Sequence, residues 1–336
     1  MMLSLIICSK HKTLDNQLTE NIHNTIGDKI EYEIIHIDNS DARYSIFQAY
    51  NKGVDIAKGD ILCFMHEDIR YHTTNWGEKT IKIMSNDNIG ALGIAGGNVI
   101  LSNADWRFQA IHSHAYLKQG YYIPTKDPIY YIKYDTSYPK DIHLKKVAVI
   151  DGVWMCFNKE IFKEIHFDDK TYGGFHLYDS DISMQVNNIG KDVFITGDIC
   201  IEHFSIGFFS AEFVENLSYF TKKWEMLIPF QIGCDLRHSQ LEKMQQEADK
   251  QLKLRIEEDR MRKNIAEHHK YYQGQALSAS ETSYLEQEMF QYARCLINNK
   301  EYNNKKAWNA TKQYFNTCKN KRFSILLKFF WHRMLF

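Results

Sequence analysis

The chain has 336 residues, 44% apolar and 14% aromatic with four prolines. That is enough apolar material to bury a core, which excludes a disordered or fibrous protein and leaves one large or two moderate domains. The formal charge of −1 argues against nucleic acid as a partner, but it averages a split: residues 1–235 carry 22 basic and 31 acidic side chains, residues 236–301 carry 11 of each, and residues 302–336 carry 8 basic and none acidic.

Leu3–Cys8 reads as a first buried strand. The run is too short and too quickly followed by Lys10, His11 and Lys12 to be expected as a signal peptide or a membrane span. Further short apolar runs at Ile34–Ile37, Ile61–Met65, Gly90–Ile94, Val147–Ile150 and Val193–Ile195, bounded by Gly, Asp and Asn, predict buried strands of a mostly parallel sheet. Between the second and third runs, Ile46, Ala49, Tyr50, Val54 and Ala57 give Ser45–Lys58 one apolar helix face, so this part is a βαβ unit. Such sheets bind ligands at the carboxyl ends of their strands. The residues there are Ser9-Lys10, Asp38-Asn39-Ser40 and His66-Glu67-Asp68, all polar, and each by itself reads equally as a turn or cap. No glycine-rich phosphate loop follows the first strand, which argues against a dinucleotide site, a P-loop or a nucleotidyltransferase. The seven cysteines include no C-x-x-C pair and are odd in number, so neither a zinc ribbon nor a disulfide framework is expected, and a reducing compartment fits best.

Residues 239–270 predict a long charged helix with a thin apolar stripe (Leu241, Met244, Ala248, Leu252, Ile256, Met261), suited to a solvated face or to a partner helix in a homodimer. Residues 281–318 predict two shorter helices. The segment 319–336 combines five basic with ten apolar residues and no acid, which suits an interfacial helix on an anionic leaflet or a final helix docked on the acidic body. The stretch between Asn98 and Lys146 is rich in aromatic and histidine side chains, a carbohydrate-facing surface or an ordered insert.

The ordered set Leu5-Ile-Ile-Cys-Ser9, Glu33-Ile-Ile-His-Ile-Asp-Asn-Ser40, Asn51-Lys-Gly53, Ala57-Lys-Gly-Asp60 and Ile61-Leu-Cys-Phe-Met-His-Glu-Asp68 resembles the family 2 type of GT-A glycosyltransferases. The likeness continues through Asp151-Gly152, Trp154, Phe167-Asp168, Tyr178-Asp-Ser-Asp-Ile182, Gly190 and His203, covering about residues 1–230. It implies an α/β, Rossmann-like GT-A domain over 1–235 with a helical extension over 236–336. The implied activity is metal-dependent, inverting transfer of a sugar from a UDP-, GDP- or dTDP-sugar to a glycan or lipid-linked acceptor in surface polysaccharide synthesis. A cytoplasmic enzyme, peripheral on the inner face of the membrane, is expected; a non-catalytic nucleotide- or glycan-binding module is the alternative.

By the same resemblance, His66-Glu67-Asp68 stands for the D-x-D motif. Asp68 and His203 are then ligands of a divalent cation, Mn²⁺ or Mg²⁺, with His66 a departure from carboxylate that puts its metal contact in question. Glu67, Asp38, Ser9 and Asn51 fall on the donor side, and Gly152, Trp154 and Asp181 on the sugar and acceptor side, though a Trp following a strand also reads as core packing. Asp179 aligns with the base that takes the acceptor's proton, and Tyr178 replaces the usual Glu. Asp179 and Asp181 read equally as helix caps.

Overall fold

The computed structural model describes residues 1–104, 113–115, 117–123, 129–135, 143–204, 209, 211–271, 279–298, 304–318 and 322–335. In chain order the first elements are β1 (Leu3–Ser9), α1 (Asn16–Thr25), β2 (Tyr32–Asp38), α2 (Ile46–Ile56), β3 (Ile61–Met65), β4 (Ile69–Tyr71), α3 (Trp76–Met84) and β5 (Ile89–Gly93). Short strands follow: β6 (Ala95–Gly97), β7 (Val99–Ile100), β8 (Ser113–Ala115), β9 (Leu117–Ile123), β10 (Ile129–Asp135), β11 (Leu144–Val147), β12 (Val149–Ile150) and β13 (Trp154–Asn158). Then come α4 (Tyr178–Asn188), β14 (Asp192–Thr196), β15 (Ile201–His203), α5 (Ala211–Lys223), β16 (Phe230–Gln231), α6 (His238–Tyr271), α7 (Ala279–Asn298), α8 (Asn304–Cys318) and α9 (Arg322–Leu335).

Seven strands make the central sheet in the order β11-β14-β5-β13-β3-β1-β2. β2, β1 and β3 are mutually parallel, as are β5 and β14, whereas β13 runs antiparallel between β3 and β5. Because both faces of the sheet are covered, β3 and β5 are buried along their whole length, and this is why they read as unbroken apolar runs. Leu3, Leu5, Ile7, Cys63 and Met65 face a core built with Leu18 and Ile22 of α1 and Trp76 and Met84 of α3. On the opposite face Phe64 packs against Tyr50 of α2 and against Phe157 and Phe167. α2 lies so close to β1 that a Cβ at Gly53 would stand 2.4 Å from Ile6 Cγ2. Ser45 and Gln48 close its start as a reciprocal capping box.

One expectation is corrected. Cys63 and Cys156 face each other across β3 and β13 with Cα atoms 4.2 Å apart and are joined as a disulfide, both fully buried. Their separation of 93 residues gives no sequence spacing from which the pairing could be read.

The chain divides into two compact units. The first comprises residues 1–121, 131–207 and 211–252; the second comprises 122–130, 208–210 and 253–336. The first runs past residue 235 because Leu241 and Ala248 of α6 bury against Val99 and Leu101. The first half of the α6 stripe is thus used within the chain. In the second unit Met289, Ala293, Leu296 and Ile297 of α7, Ala307, Ala310 and Tyr314 of α8, and Leu326 and Phe330 of α9 form one core. Arg333 donates to the carbonyls of Leu296 (2.7 Å) and Ile297 (2.8 Å), satisfying the C-terminal end of α7 where a cation is favoured. The basic tail therefore docks on its helical neighbours. Its outward side leaves Ile325, Trp331 and Met334 exposed, and α8 leaves Trp308 and Phe315 exposed. Among the described residues no helix is long and apolar enough to cross a membrane. Of the aromatic-rich stretch between Asn98 and Lys146, residues 105–112, 116, 124–128 and 136–142 lie outside the described residues, as do 319–321 and 336 of the tail.

Candidate metal and transfer site

The turn His66–Asp68 leaves β3 and enters β4, and β4 supplies the register that completes the site. β15 pairs antiparallel with β4, His203 opposite Ile69 and Ile201 opposite Tyr71, and the Phe204 amide donates to the Asp68 carbonyl at 3.0 Å. Two ladder steps thus place a histidine 135 positions away beside the turn. His203 Nε2 lies 3.4 Å from Asp68 Oδ1 and 3.2 Å from His66 Nδ1, and His66 Nδ1 lies 3.9 Å from Asp68 Oδ1. The equidistant point in the plane of these three atoms is about 2 Å from each, the bond length of a divalent ion to nitrogen or carboxylate oxygen. Among the described residues this is the cluster able to hold a metal ion, and two imidazoles with one carboxylate fit one. Loss of hydration in the crevice, and then the neighbouring His203, hold the His66 imidazole below its ordinary pKa, so it is neutral and able to offer a lone pair.

The other nitrogen of His66 is occupied as well. Nε2 lies 2.9 Å from the Tyr178 hydroxyl, so the two departures from the family's motifs touch each other. Tyr178 opens α4 directly after Leu177, whose backbone is left-handed at φ 68°, a conformation that costs a non-glycine residue about 1 kcal/mol or more. Its ring is wedged edge-on between Phe47 and Tyr50. Burial raises its hydroxyl well above the ordinary tyrosine pKa, so it stays protonated. Gly152 makes room for it: a Cβ there would stand 2.1 Å from the Tyr178 hydroxyl oxygen. The Gly152 amide donates to Asp179 Oδ2 at 3.0 Å and the Ser180 amide to Asp179 Oδ1 at 2.8 Å, which fixes the half-buried Asp179 carboxylate next to Gly152 and Tyr178.

On the strand-end side, the Ser9 hydroxyl donates to the Glu67 carboxylate in a very short hydrogen bond, and the Lys10 amide approaches Glu67 Oε1 at 3.4 Å. Glu67 is therefore turned onto the end of β1 and locks the His66–Asp68 turn there. Asp38 accepts the Ser40 amide at 2.9 Å, and this bond holds its carboxyl below the usual range. Burial pushes the thiol of the neighbouring Cys8 on β1 up to about 11.

Three residues expected at the pocket lie elsewhere. Trp154 is fully buried on β13, its indole N–H bonded to the Tyr71 hydroxyl at 2.8 Å and its rings against Trp76, so it offers no face to a sugar. Asn51 bonds the backbone of Phe167 at both its amide oxygen and nitrogen, tying α2 to the chain before α4. Asp181 is 1% exposed; Tyr172, Trp224, Gln185 and Lys223 all donate to it. It is a strut between α4 and α5. Sequence reasoning saw Tyr178 and Gly152 as positions in motifs and missed their contact; the paired departures at 66 and 178 were its available signal.

The family model described as "Glycosyltransferase like family" matches residues 4–225. No curated protein matches the sequence. Among solved structures, GalNAc-T7 with UDP, GalNAc and Mn²⁺ is similar at 12% identity and a TM-score of 0.47, over 66% of this chain and 48% of that one, so the chain spans about half its length. The S. aureus TarS 1-349 complex with UDP is similar at 11% identity and 0.40, over 73% and 70%. The catalytic domain of Drosophila beta1,4galactosyltransferase 7 with xylobiose is similar at 14% and 0.34, over 58% and 64%.

Proposed function

The chain belongs to this glycosyltransferase-like family, and from that premise we propose that it is a metal-dependent, inverting glycosyltransferase. It would move a sugar from a nucleoside-diphosphate-sugar to a glycan or lipid-linked acceptor, in surface polysaccharide synthesis on the cytoplasmic side of a membrane. The observation that carries this reading is the convergence of the His66, Asp68 and His203 ligand atoms with the Asp179 carboxylate through Tyr178 and Gly152.

Asp68, His203 and His66 would hold a divalent cation, which would supply Lewis-acid stabilisation of the charge that develops on the leaving diphosphate. The chain's own side chains do the rest. Asp179, held by two backbone amides, accepts the acceptor hydroxyl's proton as that oxygen attacks the anomeric carbon from the face opposite the diphosphate. Asp38 and the Ser9–Glu67 pair lie on the nucleotide side at the ends of β2, β1 and β3. A non-catalytic module gains less from the departures at 66 and 178 than the sequence suggested, because the two side chains are bonded to each other and keep the site assembled.

The test is a panel of UDP-, GDP- and dTDP-sugars, assayed for transfer and hydrolysis with and without cation and by thermal shift. Asp179→Asn lowers turnover by about 10²-fold or more with donor binding kept. Asp68→Ala loses the cation-dependent donor shift. Normal turnover in both variants would refute the assignment.

A further inference from the structure

We propose that Tyr178 is a positioning residue that makes His66 a third cation ligand, so that the site takes a nitrogen-preferring first-row transition ion in preference to Mg²⁺. The inference rests on the reading that this cluster holds a divalent cation and adds which ion and which residue decides it.

The geometry begins with the two nitrogens of one ring. A neutral imidazole carries a single proton, and the nitrogen that lacks it is the one that can ligate. His66 turns Nδ1 to the cluster, 3.2 Å from His203 Nε2, and Nε2 to the Tyr178 hydroxyl at 2.9 Å. With its proton on Nε2, donated to the tyrosine oxygen, the ring presents the Nδ1 lone pair to the point shared with His203 and Asp68. A ligating histidine whose other N–H is held in this way has its tautomer and orientation fixed, and loss of such a partner typically lowers metal affinity 10–100-fold.

The tyrosine oxygen is itself held from several sides. The ring packs edge-on against Phe47 and Tyr50, the left-handed Leu177 sets its approach, and only a glycine at 152 leaves space for the hydroxyl.

The ligand set then selects the ion. Mg²⁺ prefers oxygen ligands in near-ideal octahedral geometry and gives up water reluctantly, whereas imidazole suits later first-row ions, whose affinity rises from Mn²⁺ through Co²⁺. Ligands about 2.1 Å from an octahedral ion stand about 3.0 Å apart and those of a tetrahedral ion about 3.4 Å. The separations here are 3.2, 3.4 and 3.9 Å, all wider than the octahedral spacing.

The experiment uses the full chain freed of metal with a chelator and titrated calorimetrically with MgCl₂, MnCl₂, CoCl₂ and ZnCl₂ alone. Expected are Co²⁺ and Zn²⁺ binding more tightly than Mn²⁺, Mg²⁺ at least tenfold weaker than Mn²⁺, and Tyr178→Phe weakening Co²⁺ by tenfold or more with a changed Co²⁺ absorption spectrum. Equal affinities for Mg²⁺ and Mn²⁺, or Tyr178→Phe matching the wild type in affinity and spectrum, overturns the proposal while leaving the cation reading standing. Binding of none of the four ions overturns both. A second measurement needs no variant: imidazole ¹⁵N shifts of the Zn²⁺-loaded chain support the proposal if His66 carries its proton on Nε2, and overturn it if the proton is on Nδ1.

Discussion

Asp181 separates two accounts of the same motif. As a pocket carboxylate it would contribute to activity and little to stability; as the strut described above it does the reverse. Its Oδ1 accepts from the Tyr172 hydroxyl at 3.1 Å and the Trp224 indole at 2.9 Å, and its Oδ2 accepts from Gln185 at 2.7 Å and Lys223 at 3.0 Å. Asp181→Ala strands the buried Tyr172 and Trp224 donors, each worth about 1–3 kcal/mol when left unpaired. Lys223 keeps Asp168 at 2.7 Å, so its ammonium is not left bare and the total is that of the two donors, about 2–6 kcal/mol. At roughly 2–4 °C per kcal/mol for a body of this size, the melting temperature falls by about 4–24 °C. Asp181→Asn keeps an acceptor but not the charge and falls by less than half as much. Scanning calorimetry measures both, with transfer assayed well below the melt, where Asp181→Ala retains activity. An Asp181→Ala variant that melts within about 2 °C of the wild type yet has lost transfer would refute the strut and return the carboxylate to the pocket.

The same network sets an acid limit. Burial opposes ionisation of Asp168, but Lys223 and Thr171 hold its carboxyl below its ordinary 3.8, so its stabilisation is complete above that pH and is lost as pH falls through the lowered value. Lys223→Met therefore flattens the fall of melting temperature as pH drops below about 4; an unchanged slope there contradicts the assignment. Gly53→Ala forces a Cβ to within 2.4 Å of Ile6 Cγ2 and costs about 1–3 kcal/mol, read as a lower urea midpoint; an unshifted midpoint contradicts the close helix–strand approach. If the exposed Trp308 and Trp331 beside the basic residues of α8 and α9 meet an anionic leaflet, the chain pellets with phosphatidylglycerol vesicles at low salt and Trp308→Glu with Trp331→Glu abolishes this. Failure of the wild type to pellet removes the membrane reading.

The parallel strands were legible because burial on both faces writes them as apolar runs, and the strand ends were legible because their polar turns interrupt those runs. β13 was not read as a strand, although Trp154-Met-Cys-Phe is such a run, because the motif residues just before it placed Trp154 either at the pocket or in the core. What placed Trp154 in the core is a tertiary choice: an antiparallel strand inserted between β3 and β5, which also sets Cys156 opposite Cys63. The ligand cluster was legible residue by residue, but the β4–β15 register that assembles it depends on two three-residue strands too short to signal themselves. Asn51 and Asp181 show the remaining gap. A polar side chain in a motif tells its chemistry, and only its partners tell whether that chemistry is spent inside the protein.

His66 and Tyr178 carry this furthest. Taken one position at a time, each is the loss of a carboxylate and together they suggest decay of the site. Taken as a bonded pair, they are one exchange, a neutral hydrogen bond where the motifs have two acids, and an exchange has a measurable signature that decay lacks. Deleting one partner strands the other in a buried setting, so most of the cost appears in the first deletion and little in the second. In a cycle of Tyr178→Phe and His66→Ala, melted in chelator so that no cation contributes, the double variant is less destabilised than the sum of the singles by about 0.5–3 kcal/mol. Additivity within about 0.3–0.5 kcal/mol would mean that the two side chains are neighbours without being partners, and the decay reading would then regain its force.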